Sequence, residues 1–142
     1  MTFRATCERR KLEIFFAGLT TCFGAWLLFP SEAMRSPALF HLAEMASETA
    51  WGGMFLSNGL MHCAWLAVNG ARWWSPILRF WAAFGSASLY LMWSAGIAEF
   101  DPYATGVFTY AGLSLGSLAC CVFAWRDAII ATRLRRAVAH HA

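Results

Sequence analysis

Charge is scarce in this chain. Asp, Glu, Lys and Arg make up 13% of its 142 residues, about half the share of a typical soluble domain. Lysine is nearly missing: Lys11 stands alone against ten arginines. Catalytic groupings are missing too. There is no Ser-His-Asp set, no phosphate loop and no pair of carboxylates placed for acid–base work, so no enzyme class finds support. No C-x-x-C pair occurs, and none of Cys7, Cys22, Cys63, Cys120 and Cys121 falls in a segment where an oxidising compartment could join it to another. This argues against a quinone-linked thiol oxidase. Internal repeats, low-complexity tracts and a soluble domain are likewise absent.

What is present is apolar. Hydrophobic residues make up 59%, mean hydropathy is +0.50, and there are 8 Trp and 12 Phe, too many to hide in a small water-soluble core. Four stretches, 12–30, 50–68, 76–98 and 105–125, reach the roughly 20 residues that a helix needs to cross the hydrocarbon layer. None alternates with the period of two that a membrane β-barrel demands. In lipid the backbone must satisfy its own hydrogen bonds, so such runs are read as helices. The expected fold is an all-α membrane protein, a single domain over 1–142, with four antiparallel transmembrane helices.

Charge orients the helices. With Glu13 and Arg79, just inside the run ends, counted with their adjoining segments, the segments before, between and after the four runs carry net charges of +2, −2, +2, −2 and +3, which sum to the chain's +3. Basic side chains collect on the cytoplasmic side of a membrane, so both termini are expected there. Trp51, Trp73, Trp74 and Trp125 lie near predicted span ends, in keeping with the preference of indole for the headgroup layer. Ser31-Glu32-Ala33 is a passable signal-peptidase site, but the first apolar run exceeds the usual signal core, and the expectation is that it is retained. In the first outer link, 31–49, Ser36-Pro37 predicts a helix start. Leu39, Leu42, Ala43 and Ala46 on one face, with His41, Glu44 and Glu48 on the other, predict a short amphipathic helix on the membrane surface. His41, Glu44 and Glu48 read as a solvated face, with no metal expected. The basic tail 126–142 places Arg126, Arg133, Arg135 and Arg136 as lipid-headgroup contacts and has the composition to continue the fourth span as helix.

Two features inside the spans bear on function. Asn58, His62, Trp65 and Asn69 are spaced four, three and four residues apart and form one polar helical face. Ionisable groups within spans are functional candidates, so His62 is weighed as a proton or solute path or a haem ligand. No other span holds a second His. The plainer alternative has Asn58 and His62 hydrogen-bonded to serines of neighbouring helices. In the fourth span, Gly112, Gly116, Cys120 and Ala124 form a small-residue packing ridge. It serves either the bundle itself or a second copy, and Tyr110, Ser114, Ser117 and Cys121 line another face. Gly59, Cys63 and Ala67 make a similar ridge in the second span.

The stretch Asp101-Pro102-Tyr103-Ala104-Thr105-Gly106-Val107, then Tyr110 and Trp125-Arg126-Asp127-Ala128, with Trp51-Gly52, Asn69-Gly70-Ala71-Arg72 and Ser75-Pro76 upstream, resembles small four-span membrane proteins of tailed bacteriophages and prophages. That group has no established activity. The resemblance implies a bacterial inner-membrane location and a phage-related role. The expected function is therefore an interaction protein without cofactor, partnered by the lipid bilayer and by its own copies or another membrane protein, with no nucleic acid. A holin-like or channel-forming oligomer, and an accessory subunit binding haem or quinone, are the alternatives.

Overall fold

The computed structural model describes residues 3–29, 33–68 and 74–140, without the side chains of 3–9, 33, 134, 135 and 137–140. Among the described residues the chain is helical and has no strand. Five α-helices follow one another: α1 (Phe3–Leu28), α2 (Phe40–Met45), α3 (Glu48–Ala67), α4 (Ser75–Phe100) and α5 (Thr105–His140), with two single 3-10 turns at Ala33–Arg35 and Pro37–Leu39 between α1 and α2. The four long helices run up and down, each against its neighbour in sequence, and α5 closes the ring against α1.

Local chemistry sets the boundaries. Ser47 caps α3, its hydroxyl accepting from the Ala50 N–H at 3.2 Å. Pro76 sits in the first turn of α4, where its missing N–H costs nothing. The Asp101 carboxylate accepts from the Tyr103 N–H at 2.9 Å, which folds the tight link into α5. The tail does continue the fourth apolar stretch: α5 runs unbroken through its arginines to His140. The first link differs from the single surface helix that its pattern predicts. Ser36 makes no side-chain cap, α2 has six residues, and the chain turns extended at Ala46. Glu48 begins α3 instead of sharing a face with His41 and Glu44. The anchor is specific: Leu42 is fully buried and lies over Gly96, and the Trp51 indole N–H donates to the Leu42 carbonyl at 2.9 Å. Helix α2 is thus a lid on α3 and α4.

Small residues let the helices approach closely. A Cβ on Gly24 would fall on the backbone of Leu56, and one on Gly59 would come within 2.5 Å of the Thr21 backbone. The α1–α3 seam is therefore closed by glycines on both sides. Between α4 and α5 three side-chain rungs repeat at heptad spacing. Ser94 donates to the Val107 carbonyl (2.8 Å), Ser114 to Ala87 (2.9 Å) and the Cys121 thiol to Phe80 (3.7 Å). Near one end, Phe23, Trp51, Phe55, Tyr90 and Trp93 form an aromatic cluster, with ring centroids 4.9 to 6.4 Å apart.

Two helices, over Arg10–Leu28 and Thr105–Arg133, are long and apolar enough to cross a membrane. Helices α3 and α4 fall short of that measure. Their apolar side chains nevertheless face outward: Met54, Leu60 and Met61 on α3, and Trp81, Phe84 and Leu91 on α4, are exposed, as are Ile14, Phe15, Leu115 and Val122 on α1 and α5.

Candidate functional site

The polar groups of the four helices converge on the bundle interior in two layers. The lower layer is ionic. Glu13 of α1 and Arg79 of α4, diagonal neighbours, meet in a two-pronged pair: Nε donates to Oε2 at 2.8 Å and Nη2 to Oε1 at 2.6 Å. Each side chain is 1% exposed. Arg79 Nη2 also reaches Asp127 of α5 at 3.2 Å, a carboxylate that is 36% exposed. The cluster lies at the end of the bundle that carries Arg10, Lys11 and the α5 arginines. Two charges buried this deeply persist only when paired, and the parallel fork of a guanidinium is suited to a carboxylate.

The second layer sits further in. Asn58 of α3 donates from Nδ2 to the Ala82 carbonyl (3.1 Å) and to Ser86 Oγ (2.8 Å). Thr20 of α1 lies 3.4 Å from Ser86 Oγ and 3.2 Å from the Tyr90 hydroxyl, and its own hydroxyl donates to the Phe16 carbonyl at 2.8 Å. Gly85 makes room for Asn58, since a Cβ there would come within 2.5 Å of Oδ1. Three helices are therefore tied by one hydrogen-bonded chain, Asn58–Ser86–Thr20–Tyr90.

His62 stands one turn below Asn58 on α3, within the electrostatic reach of Arg79. It is 1% exposed, and neither ring nitrogen has a partner among the described residues. Of the expected polar face, Asn58 finds a serine on the neighbouring helix and His62 does not. Trp65 has no partner for its buried indole N–H among the described residues, packs edge-on against Trp74 at 5.8 Å and accepts at its carbonyl from Ser75 Oγ at 3.1 Å. Asn69 lies outside the described residues. The face that reads as one stripe is thus a set of inward contacts to different elements.

The ridge of the last helix divides. Cys120 and Ala124 are fully buried, and a Cβ on Gly116 would strike the Phe16 ring, so these three positions pack within the chain. Gly112 has open space above it. In the second-span ridge, Gly59 packs on α1, while Cys63 is exposed. Arg126, Arg133 and Arg136 are exposed along the extended end of α5. The side chain of Arg135 lies outside the described set.

Sequence reasoning missed the Glu13–Arg79–Asp127 cluster, because each charge sits near a span end, where solvent is the default reading. The available signal was a carboxylate and a guanidinium, each placed within the first turn of a predicted apolar run. At the opposite end, His41 Nδ1 lies 3.5 Å from both Glu44 and Glu99, so the two acidic links meet there. No group of three or more His, Cys, Asp or Glu side chains among the described residues is arranged to hold a metal. The chain matches no protein-family model, no curated protein and no solved structure.

Proposed function

We propose that α1, α3, α4 and α5 all cross a bacterial inner membrane with both chain ends cytoplasmic, and that the protein acts without catalysis, by self-association or by binding another membrane protein. The observation that carries this reading is the inversion of polarity. Ionic and hydrogen-bonding groups are sealed between the helices, while Phe, Leu, Met and Trp side chains cover the outside of all four. Water does not favour such a surface, and exposed apolar area on this scale marks a membrane or protein contact. The hydropathy of α3 and α4 is lowered by Asn58, His62 and Arg79, and these residues turn inward, away from lipid.

The same observation favours an interaction protein over a pore. A lumen on the Asn58–His62 face requires the bundle to open, because that face is already covered by α1 and α4. The phage-related setting rests on the resemblance of the 101–107 stretch and its companions to phage-encoded four-span proteins. The test has two parts. Membranes carrying the chain are washed at alkaline pH, and C-terminal fusions to a cytoplasm-dependent fluorescent protein and to an export-dependent phosphatase are compared. Retention in the pellet with fluorescence alone is expected, and phosphatase activity overturns the orientation. The purified chain in liposomes should leave an entrapped dye in place, and leakage abolished by His62→Leu or Asn58→Leu overturns the interaction reading.

A further inference from the structure

We propose that the groove between α4 and α5 is a seat for one anionic phospholipid of the cytoplasmic leaflet, such as phosphatidylglycerol. This rests on the reading that both helices span the membrane. Two cavities lie end to end in the groove. The inner one, about 470 Å³, is almost wholly apolar and is lined by Phe80 and Phe84 of α4 with Leu118, Val122 and Trp125 of α5. The next, about 290 Å³, begins at the same Trp125 and ends at Thr132, Arg133 and Arg136. Among the lining positions of α5, 118, 122, 125, 129, 132 and 136 advance by three or four residues, with 121, 128 and 133 beside them, and so form one continuous stripe.

Length and charge identify the occupant. Leu118 to Arg133 is about fifteen residues, or roughly 22 Å of helix. One leaflet including its headgroups is about 20–22 Å, half of the full bilayer thickness. The apolar stretch therefore matches an acyl chain, and the arginines fall at phosphate depth. Neither Arg133 nor Arg136 has an acidic partner among the described residues. The nearby Asp127 carboxylate is engaged by Arg79, which leaves the groove mouth positive. A zwitterionic headgroup would bring its own cation to that mouth; an anionic one does not.

The test uses the full chain in detergent and native mass spectrometry, with added phosphatidylglycerol, phosphatidylcholine or inorganic phosphate. The wild-type chain should retain phosphatidylglycerol in preference. Arg133→Ala with Arg136→Ala should weaken retention about thirtyfold, at about 1 kcal/mol for each arginine. Val122→Trp, which fills the groove and keeps every charge, should also lose the lipid. Arg10→Ala with Lys11→Ala removes two charges from the same end and should behave as wild type. Equal weakening by that control, full retention by Val122→Trp, equal binding of phosphatidylcholine, or displacement of the lipid by inorganic phosphate would each overturn the site. Release of the wild-type chain from membranes by alkaline wash overturns the spanning reading itself, whereas a firmly embedded chain with indifferent groove variants overturns only the lipid seat.

Discussion

Removing Arg79 should be among the most damaging single changes to this protein. In Arg79→Met the Glu13 carboxylate, 1% exposed, loses a guanidinium that holds both of its oxygens at 2.6 and 2.8 Å. Breaking a buried pair from one side costs about 3–5 kcal/mol, because the remaining charge stays desolvated. Glu13→Gln should cost less, about 1–3 kcal/mol, since an acceptor remains and Arg79 keeps Asp127 as counter-charge. Replacing both partners, Glu13→Leu with Arg79→Met, removes the uncompensated charge, and such apolar replacements are often neutral or better. The double variant should therefore be more stable than Arg79→Met alone. Asp127 does not reverse this, because its partial exposure lets it turn to water. Unfolding in detergent followed by tryptophan fluorescence gives the full mutant cycle. A cost under about 1 kcal/mol for Arg79→Met, or a double variant that loses the sum of Arg79→Met and Glu13→Leu measured singly, would refute the reasoning.

Three further outcomes follow from the packing. His62→Leu should leave stability unchanged or raise it by up to about 1 kcal/mol, since the ring has no partner among the described residues to lose; a drop of more than about 2 kcal/mol in the same unfolding assay would mean that a hydrogen bond had been lost. Gly24→Leu should force α1 from α3 and lower the melting temperature sharply, whereas Gly112→Leu, set in open space, should stay within about 0.5 kcal/mol of wild type and, where self-association uses that face, lower the native mass in detergent. Trp51→Phe deletes the bond to the Leu42 carbonyl, so amide exchange over residues 40–45 should speed up by at least roughly fivefold, matching about 1 kcal/mol of local anchoring, and the smaller ring also loosens the aromatic cluster that Trp51 shares with Trp93.

The long helices were largely legible in the sequence because apolar runs broken by Ser47, Pro76 and the Asp101 turn leave little freedom in where α3, α4 and α5 begin. Helix α1 starts earlier than its apolar run and α5 ends later, for one reason. Both extensions are polar but helix-compatible, and hydropathy sees only the part that is apolar. The surface helix of the first link was legible as amphipathic but not as a lid. Its role depends on Gly96 and on the Trp51 indole, which lie some fifty and nine residues beyond Leu42. Of the polar face, spacing placed Asn58 and His62 on one side of a helix but said nothing of the register against α4. That register is what gives Ser86 to the amide and leaves the imidazole without a partner among the described residues.

The small-residue ridge carries the same lesson to its physical root. Gly112, Gly116, Cys120 and Ala124 are indistinguishable by periodicity, yet Phe16 occupies the space over Gly116 and nothing occupies the space over Gly112. Helix α1 meets α5 where Phe16 lies over Gly116, beside the Glu13–Arg79–Asp127 cluster that joins α1, α4 and α5, and again where the Phe23 and Tyr110 rings lie 5.7 Å apart. Gly112 itself turns to the outside, with Phe108 and Leu115 exposed beside it. Where the α1 rings land therefore decides which part of the ridge is spent inside the molecule. A partner helix would find its close-contact site at Gly112 and not along the whole stripe.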